Sequence, residues 1–122
     1  MTNDTSFTVL QKVLDTATLR HKVIANNIAN VNTPGYHRRE VCFQDELARL
    51  AATGDGERLA AARPEVLESH EGPFRADGNN VNVERELADL MKNALVYRTC
   101  TQLLSSRIAG YRAAISGQSA TS

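Results

Sequence analysis

The sequence predicts a mainly α chain, in which two long terminal helices form an antiparallel coiled-coil-like hairpin around a loop-rich middle containing a short helix. Three observations predict it. Apolar residues recur at alternating spacings of three and four near both ends. Turn-forming residues punctuate the stretch from Pro34 to Asn80. Aromatic residues make up only 5% of the 122 and Trp is absent, which suits an elongated helical subunit better than a globule built on large aromatic side chains.

The first helix is read from Phe7, Leu10, Leu14, Ala17, His21, Ile24, Ile28 and Val31, an a/d seam sustained for more than three heptads. Asp4 or Ser6 suits its start. Thr33-Pro34-Gly35-Tyr36 ends it, because Pro34 bars its predecessor from helix and Pro-Gly fits the centre of a type II turn. A short helix is expected from about 43 to 53 on Phe43, Leu47, Leu50 and Ala51, broken by Gly54-Asp55-Gly56. Residues 57–63 can form a further turn of helix that Pro64 stops, and 54–80 otherwise reads as loop with at most a short strand pair. The last helix is read from Leu87, Leu90, Ala94, Tyr97, Thr101, Leu104, Ile108, Tyr111 and Ile115. Asn82 or Asn80 suits its N-cap, Glu84 and Glu86 favour its first turn, and Gly117 precedes a frayed tail. The segments divide at 1–36, 37–80, 81–117 and 118–122. At 1.5 Å per residue the two helices are about 37 and about 50 Å long.

Fourteen basic and fourteen acidic side chains give zero net charge, which argues against a nucleic-acid binder. The distribution is uneven: residues 1–37 carry +1, 38–86 carry −4 and 87–122 carry +3. Cys42 and Cys100 are far apart and read as reduced, apolar-like thiols. No stretch is apolar enough to span a membrane, and the N-terminus lacks a Sec-type signal pattern. His21, His37 and His70 fall in no metal-ligand spacing, phosphate loops and nucleophile elbows are absent, and Glu65, Glu68 and Glu71 read as a solvated acidic surface. No catalytic, cofactor or metal residue is therefore expected, nor an enzyme. Arg38-Arg39 reads as solvated or paired with Glu40.

Apolar residues exceed what one hairpin covers. Val9, Val13, Leu19 and Val23 lie off the first seam, and Met91, Leu95, Val96 and Leu103 off the second. Either the middle segment folds back over them or other subunits do, and assembly is the preferred reading. Asn26, Asn27, Asn30 and Asn32 crowd the end of the first helix, where they serve fraying and left-handed backbone or make hydrogen bonds across a subunit contact. His21 and Thr101, the most polar seam members, could sit side by side and fix the register.

Residues 25–36, with Asn27-Ile28-Ala29-Asn30 leading to Thr33-Pro34-Gly35-Tyr36, resemble the N-terminal signature of bacterial flagellar rod and hook proteins. Asp77-Gly78-Asn79-Asn80-Val81, followed by Glu86-Leu87, Asn93 and Tyr97, is similar to the C-terminal signature of a proximal rod member of the flagella basal body rod protein family. His37-Arg38-Arg39-Glu40-Val41 also resembles a sister rod protein, FlgC. The resemblance implies a non-enzymatic axial subunit, exported without a cleaved signal by the flagellar type III apparatus to the periplasmic rod. It implies self-association and contacts with FlgC-like and distal rod subunits, the adaptor FliE and the inner-membrane ring, with neither nucleic acid nor membrane insertion. Assembly is assigned to seam residues Phe7, Leu10, Leu14, Ile24, Ile28, Val31, Leu87, Leu90, Tyr97, Leu104, Ile108 and Tyr111. The alternatives are the sister rod protein or a cytoplasmic helical export chaperone or adaptor.

Overall fold

The computed structural model describes residues 3–120. In chain order it holds α1 (Asn3–Ala29), β1 (Arg39–Cys42), α2 (Gln44–Thr53), α3 (Gly56–Ala61), β2 (Glu65–Glu68) and α4 (Val83–Ala120). The chain is mainly helical, and its two long helices, about 40 and about 57 Å, pack on each other. Their contacts run in reverse order. Phe7 stacks on Tyr111 with ring centroids 5.5 Å apart. The Asn93 amide donates to the Ala17 carbonyl at 2.7 Å, and the Asn27 amide to Glu86 at 3.2 Å.

The middle segment folds back onto α1. Phe43, Leu47, Leu50 and Leu59 form a buried cluster against Val9, Val13 and Ala62. Burying each such side chain contributes about 1.5–3 kcal/mol, enough to dock two short helices that would not persist alone. So Val9 and Val13 of the first helix's off-seam apolar residues are covered within the chain, by α2 and α3, rather than by assembly. Lys12 Nζ donates to the Ala62 carbonyl at 2.9 Å and ties the end of α3 to α1. Gly54, at φ +72°, ends α2 in the left-handed conformation that a side chain would strain. Asp55 then caps α3, its carboxylate accepting from the Arg58 N–H at 3.2 Å.

Three local expectations change. The helix already runs through positions 4 and 6, so neither Asp4 nor Ser6 is an N-cap; the residue before Asn3 lies outside the described residues. The strand pair does not form within 54–80. β2 pairs antiparallel with β1, Arg39 opposite Glu68 and Cys42 opposite Glu65, drawing in residues that follow the Pro-Gly turn. α4 continues past Gly117 to Ala120; of the expected frayed tail, Thr121 and Ser122 lie outside the described residues. Asn82 does cap α4, its side-chain oxygen accepting from the Arg85 N–H at 3.2 Å, while Asn80 is used elsewhere. No helix among the described residues is long and apolar enough to cross a membrane.

Candidate assembly site

The site has two parts, a buried polar knot that fixes how α4 meets α1, and the face of α4 that the knot presents. Helix ends dictate the knot. α1 ends at Ala29, and the Asn30 and Val31 N–H groups bond back to the carbonyls of Asn26, Asn27 and Ile28; the carbonyls of the turn that follows then need donors. Asn79 supplies the donor: its Nδ2 lies 2.9 Å from the Asn30 carbonyl, 3.2 Å from that of Val31 and 2.9 Å from that of Thr33. Its own Oδ1 accepts from the Val81 N–H at 2.7 Å. The Arg75 guanidinium also donates to the Val31 carbonyl and, at 2.8 Å, to that of Val81. Two glycine turns lie back to back here. Gly35 (φ +74°) donates its N–H to the Asp77 carbonyl at 2.7 Å, and Gly78 (φ +84°) approaches the Gly35 backbone closely.

Asn27 is wholly buried and uses every position of its amide. Its Oδ1 accepts from the Arg39 N–H and the Tyr36 hydroxyl, each at 2.9 Å. Its Nδ2 donates to the Arg39 carbonyl at 2.8 Å and to Glu86 Oε2 at 3.2 Å. An asparagine one turn from a helix end thus pairs with the first residue of β1 as a neighbouring strand would. Neither fraying nor a subunit contact accounts for it. Asn80 does likewise on the other side, accepting from the Arg38 N–H at 2.6 Å and donating to the Ser69 carbonyl at 2.6 Å.

Glu86 and Arg38 close the knot. Glu86 is 0% exposed, and its Oε1 accepts from Arg38 Nε at 2.7 Å. Arg38 is also buried and reaches Glu40 at 3.2 Å. Burial opposes the Arg38 charge, but the hydrogen bond and attraction to Glu86, then those to Glu40, prevail and hold its pKa above the ordinary value. The expected partner Glu40 is present, yet Arg38 is not solvated and its chief partner is 48 residues away. Arg38 is the residue that sequence reasoning missed; Asn80 and Glu86 stood within the signature-like stretch but were read only for helix capping and the helix dipole, not as buried partners of Arg38.

The signature residues all gather at this end. Asn27, Asn79 and Val81 are buried; Ile28, Asn30, Tyr36 and Gly78 are half-buried; Ala29, Thr33, Pro34, Gly35 and Asp77 are exposed on its turns. The seam residues separate. On α1, Ile24 is buried and Phe7, Leu10, Leu14, Ile28 and Val31 are half-buried, but His21 is exposed. On α4 the side turned to α1 holds buried Glu86, Asn93 and Cys100 with half-buried Leu90, Leu104 and Arg107. The inner seam therefore passes through Glu86, Asn93, Cys100 and Arg107, each one position before the expected seam residues Leu87, Ala94, Thr101 and Ile108. Thr101 is exposed and bonds back to the Tyr97 carbonyl, so it does not meet His21, which lies opposite the 86–93 stretch.

Much of the apolar series lies open, although Tyr111 still stacks on Phe7 of α1 and Leu90 and Leu104 stay half-buried. Met91 is 74% exposed, Leu95 63% and Ile115 80%, with Leu87, Tyr97, Leu103, Ile108 and Tyr111 more than a third exposed. Large exposed apolar side chains in this number are a common mark of interaction surfaces. Beside it, α1, β1, α2 and α4 enclose a cleft of about 440 Å³ with Val23, Ile24, Phe43 and Val96 on its walls and Arg20, Arg85 and Lys92 around it. Asn93 lines this cleft, and its Oδ1 is buried with no hydrogen-bond partner among the described residues.

The comparisons with known proteins agree with this geometry. The family model described as Flagella basal body rod protein matches residues 14–37, the part of α1 and its turn that builds one side of the knot. Flagellar basal body rod protein FlgB of Cereibacter sphaeroides is 35% identical over 108 residues, covering 81% of this chain and 84% of the relative. FlgB of Aeromonas hydrophila is 29% identical over 126 residues (94% of this chain, 96% of the relative). That of Salmonella typhimurium is 28% identical over 132 residues (93% and 95%). With the signature stretches interlocked and relatedness extending along nearly the whole chain, the chain belongs to the flagellar basal body rod protein FlgB family.

Proposed function

We propose that this chain is a structural component of the flagellar basal-body rod, built so that α4 is oriented by the knot and completed by neighbouring subunits. One observation carries the reading: α4 buries Glu86, Asn93 and Cys100 against α1 while Met91, Leu95 and Ile115 stand open, available to other chains. The terminal helices act as an antiparallel coiled-coil-like hairpin, with the seam residues of α4 making lateral contacts. Repetition of one heterologous contact that does not close on itself generates a helical tube. The acidic middle segment lies on the outside of that tube. The orphan Asn93 acceptor in its cleft is a further point at which a neighbour's donor is received.

The partners that follow are further copies of this chain, FlgC-like and distal rod subunits, FliE and the inner-membrane ring, reached in the periplasm after type III export. The Asp77–Val81 stretch, knotted to α1, supports the FlgB assignment over the sister rod protein or an export chaperone. Epitope-tagged chain should co-purify with isolated basal bodies and label the rod next to the inner-membrane ring. Recovery of the tag only in the soluble cytoplasmic fraction would overturn the reading.

A further inference from the structure

The antiparallel register of β1 and β2 continues beyond the two strands. Arg39 faces Glu68, and one step further the Ser69 N–H donates to the Arg38 carbonyl at 2.8 Å. The next pair in that register is His37 opposite His70. Side chains two apart share a face of a ladder, so His37, His70 and Glu68 project on the same side, with Glu68 the diagonal neighbour of His37. The side chains agree. The imidazole centroids are 5.0 Å apart at 77°, and one ligand atom from each of His37, Glu68 and His70 lies within 4.8 Å of the other two.

We propose that His37, Glu68 and His70 form a binding site for one divalent transition ion of the zinc class, with solvent in the fourth position. Two imidazoles and one carboxylate are a donor set that such ions take in tetrahedral geometry, and at metal–ligand distances of about 2.0–2.2 Å the ligand atoms would sit about 3.4 Å apart. Glu68 and His70 are exposed, so rotation of their side chains closes the remaining gap. His37 is half-buried and held edge-on to Phe74, with centroids 5.2 Å apart, which fixes one ligand in advance. The backbone is held as well. Asn80 grips the carbonyls of Ser69 and Glu71 on either side of His70, and Arg38, next to His37, is locked to Glu86. Arg39, the ladder partner of Glu68, makes no ion pair with it among the described residues, so the carboxylate is uncommitted. An ion bound here would staple the open end of the hairpin beside the knot. The sequence hides the site because its histidines are 33 positions apart and meet only through the strand register.

The test uses the purified full-length chain, freed of metal by a chelator and titrated with zinc chloride by calorimetry, with thermal unfolding in parallel. One ion should bind per chain. The melting temperature should rise by at least about 4 °C in excess zinc and return on adding chelator. The ring resonances of His37 and His70 should shift on zinc addition while those of His21 stay in place. His70→Ala, at an exposed position, should leave metal-free melting unchanged and weaken zinc binding at least about tenfold, and Glu68→Gln should weaken it in the same direction. Absence of saturable uptake, uptake indifferent to His70→Ala, or loss of uptake on His21→Ala or Cys42→Ser instead would overturn the proposal. None of these readouts depends on rod assembly.

Discussion

The two ends of α4 are built on opposite terms. At its start nearly every polar group has a partner within the chain: Glu86 holds Arg38 and Asn27, while Asn79 and Asn80, just before the helix, serve carbonyls of the turn after α1 and of the segment after β2. Along the rest of the helix, large apolar side chains such as Met91, Leu95 and Ile115 lie open. Buried polar groups are costly unless satisfied, and exposed apolar ones are costly unless covered. The first end meets that demand alone and therefore specifies one geometry. The second, on the function proposed above, meets it with other chains.

The contrast can be broken most severely at the knot. Glu86→Ala leaves the Arg38 guanidinium buried with only Glu40 and a distant Asp89 nearby, and should cost about 3–5 kcal/mol in urea unfolding. The double change Arg38→Met with Glu86→Leu should cost less than Glu86→Ala alone, because no charge is then stranded. Asn79→Ala strips a donor from three carbonyls of the turn that follows α1 and should cost about 1–3 kcal/mol by the same measurement. Gly35→Ala meets no atom, so its cost is that of left-handed backbone alone, about 1–2 kcal/mol. If it proves neutral, the turn is more tolerant than φ +74° implies. The smallest change sharpens the other side of the comparison. Burial pushes the Cys100 thiol pKa up, so less of it is thiolate near neutral pH, whereas Cys42 is exposed. Iodoacetamide should therefore label Cys42 well before Cys100. Equal rates would mean that the inner seam opens readily.

Much of the fold was legible in the sequence, and the exceptions share a physical cause. Heptad spacing located both long helices, and Gly54 and Pro64 bounded the short ones. The same spacing misplaced the inner face of α4, because it assumes that apolar residues turn inward within one chain. Here Glu86, Asn93 and Cys100 take those positions, and Leu87 and Ile108 do not. Val9 and Val13 went astray in the opposite sense: a segment that looked too polar to form a cover supplies Phe43, Leu47, Leu50 and Leu59 for them. The signature residues were visible as a pattern, but pattern could not say that Asn27 and Asn79 work as hydrogen-bond brackets for backbone distant in sequence. Long-range polar pairing, such as Arg38 with Glu86 or His37 beside His70, leaves no periodic trace. It follows from strand register and helix ends, which only the folded chain reveals.

The central claim is that α4 reserves its apolar face for neighbouring subunits. Leu95→Asp tests it most directly, read in two assays on the same variant. The account predicts unfolding stability within about 0.5 kcal/mol of the parent chain, as for an exposed position, together with loss of incorporation into basal bodies and of swimming. Normal rod assembly in the Leu95→Asp variant, or a large loss of stability in the isolated chain, would contradict it.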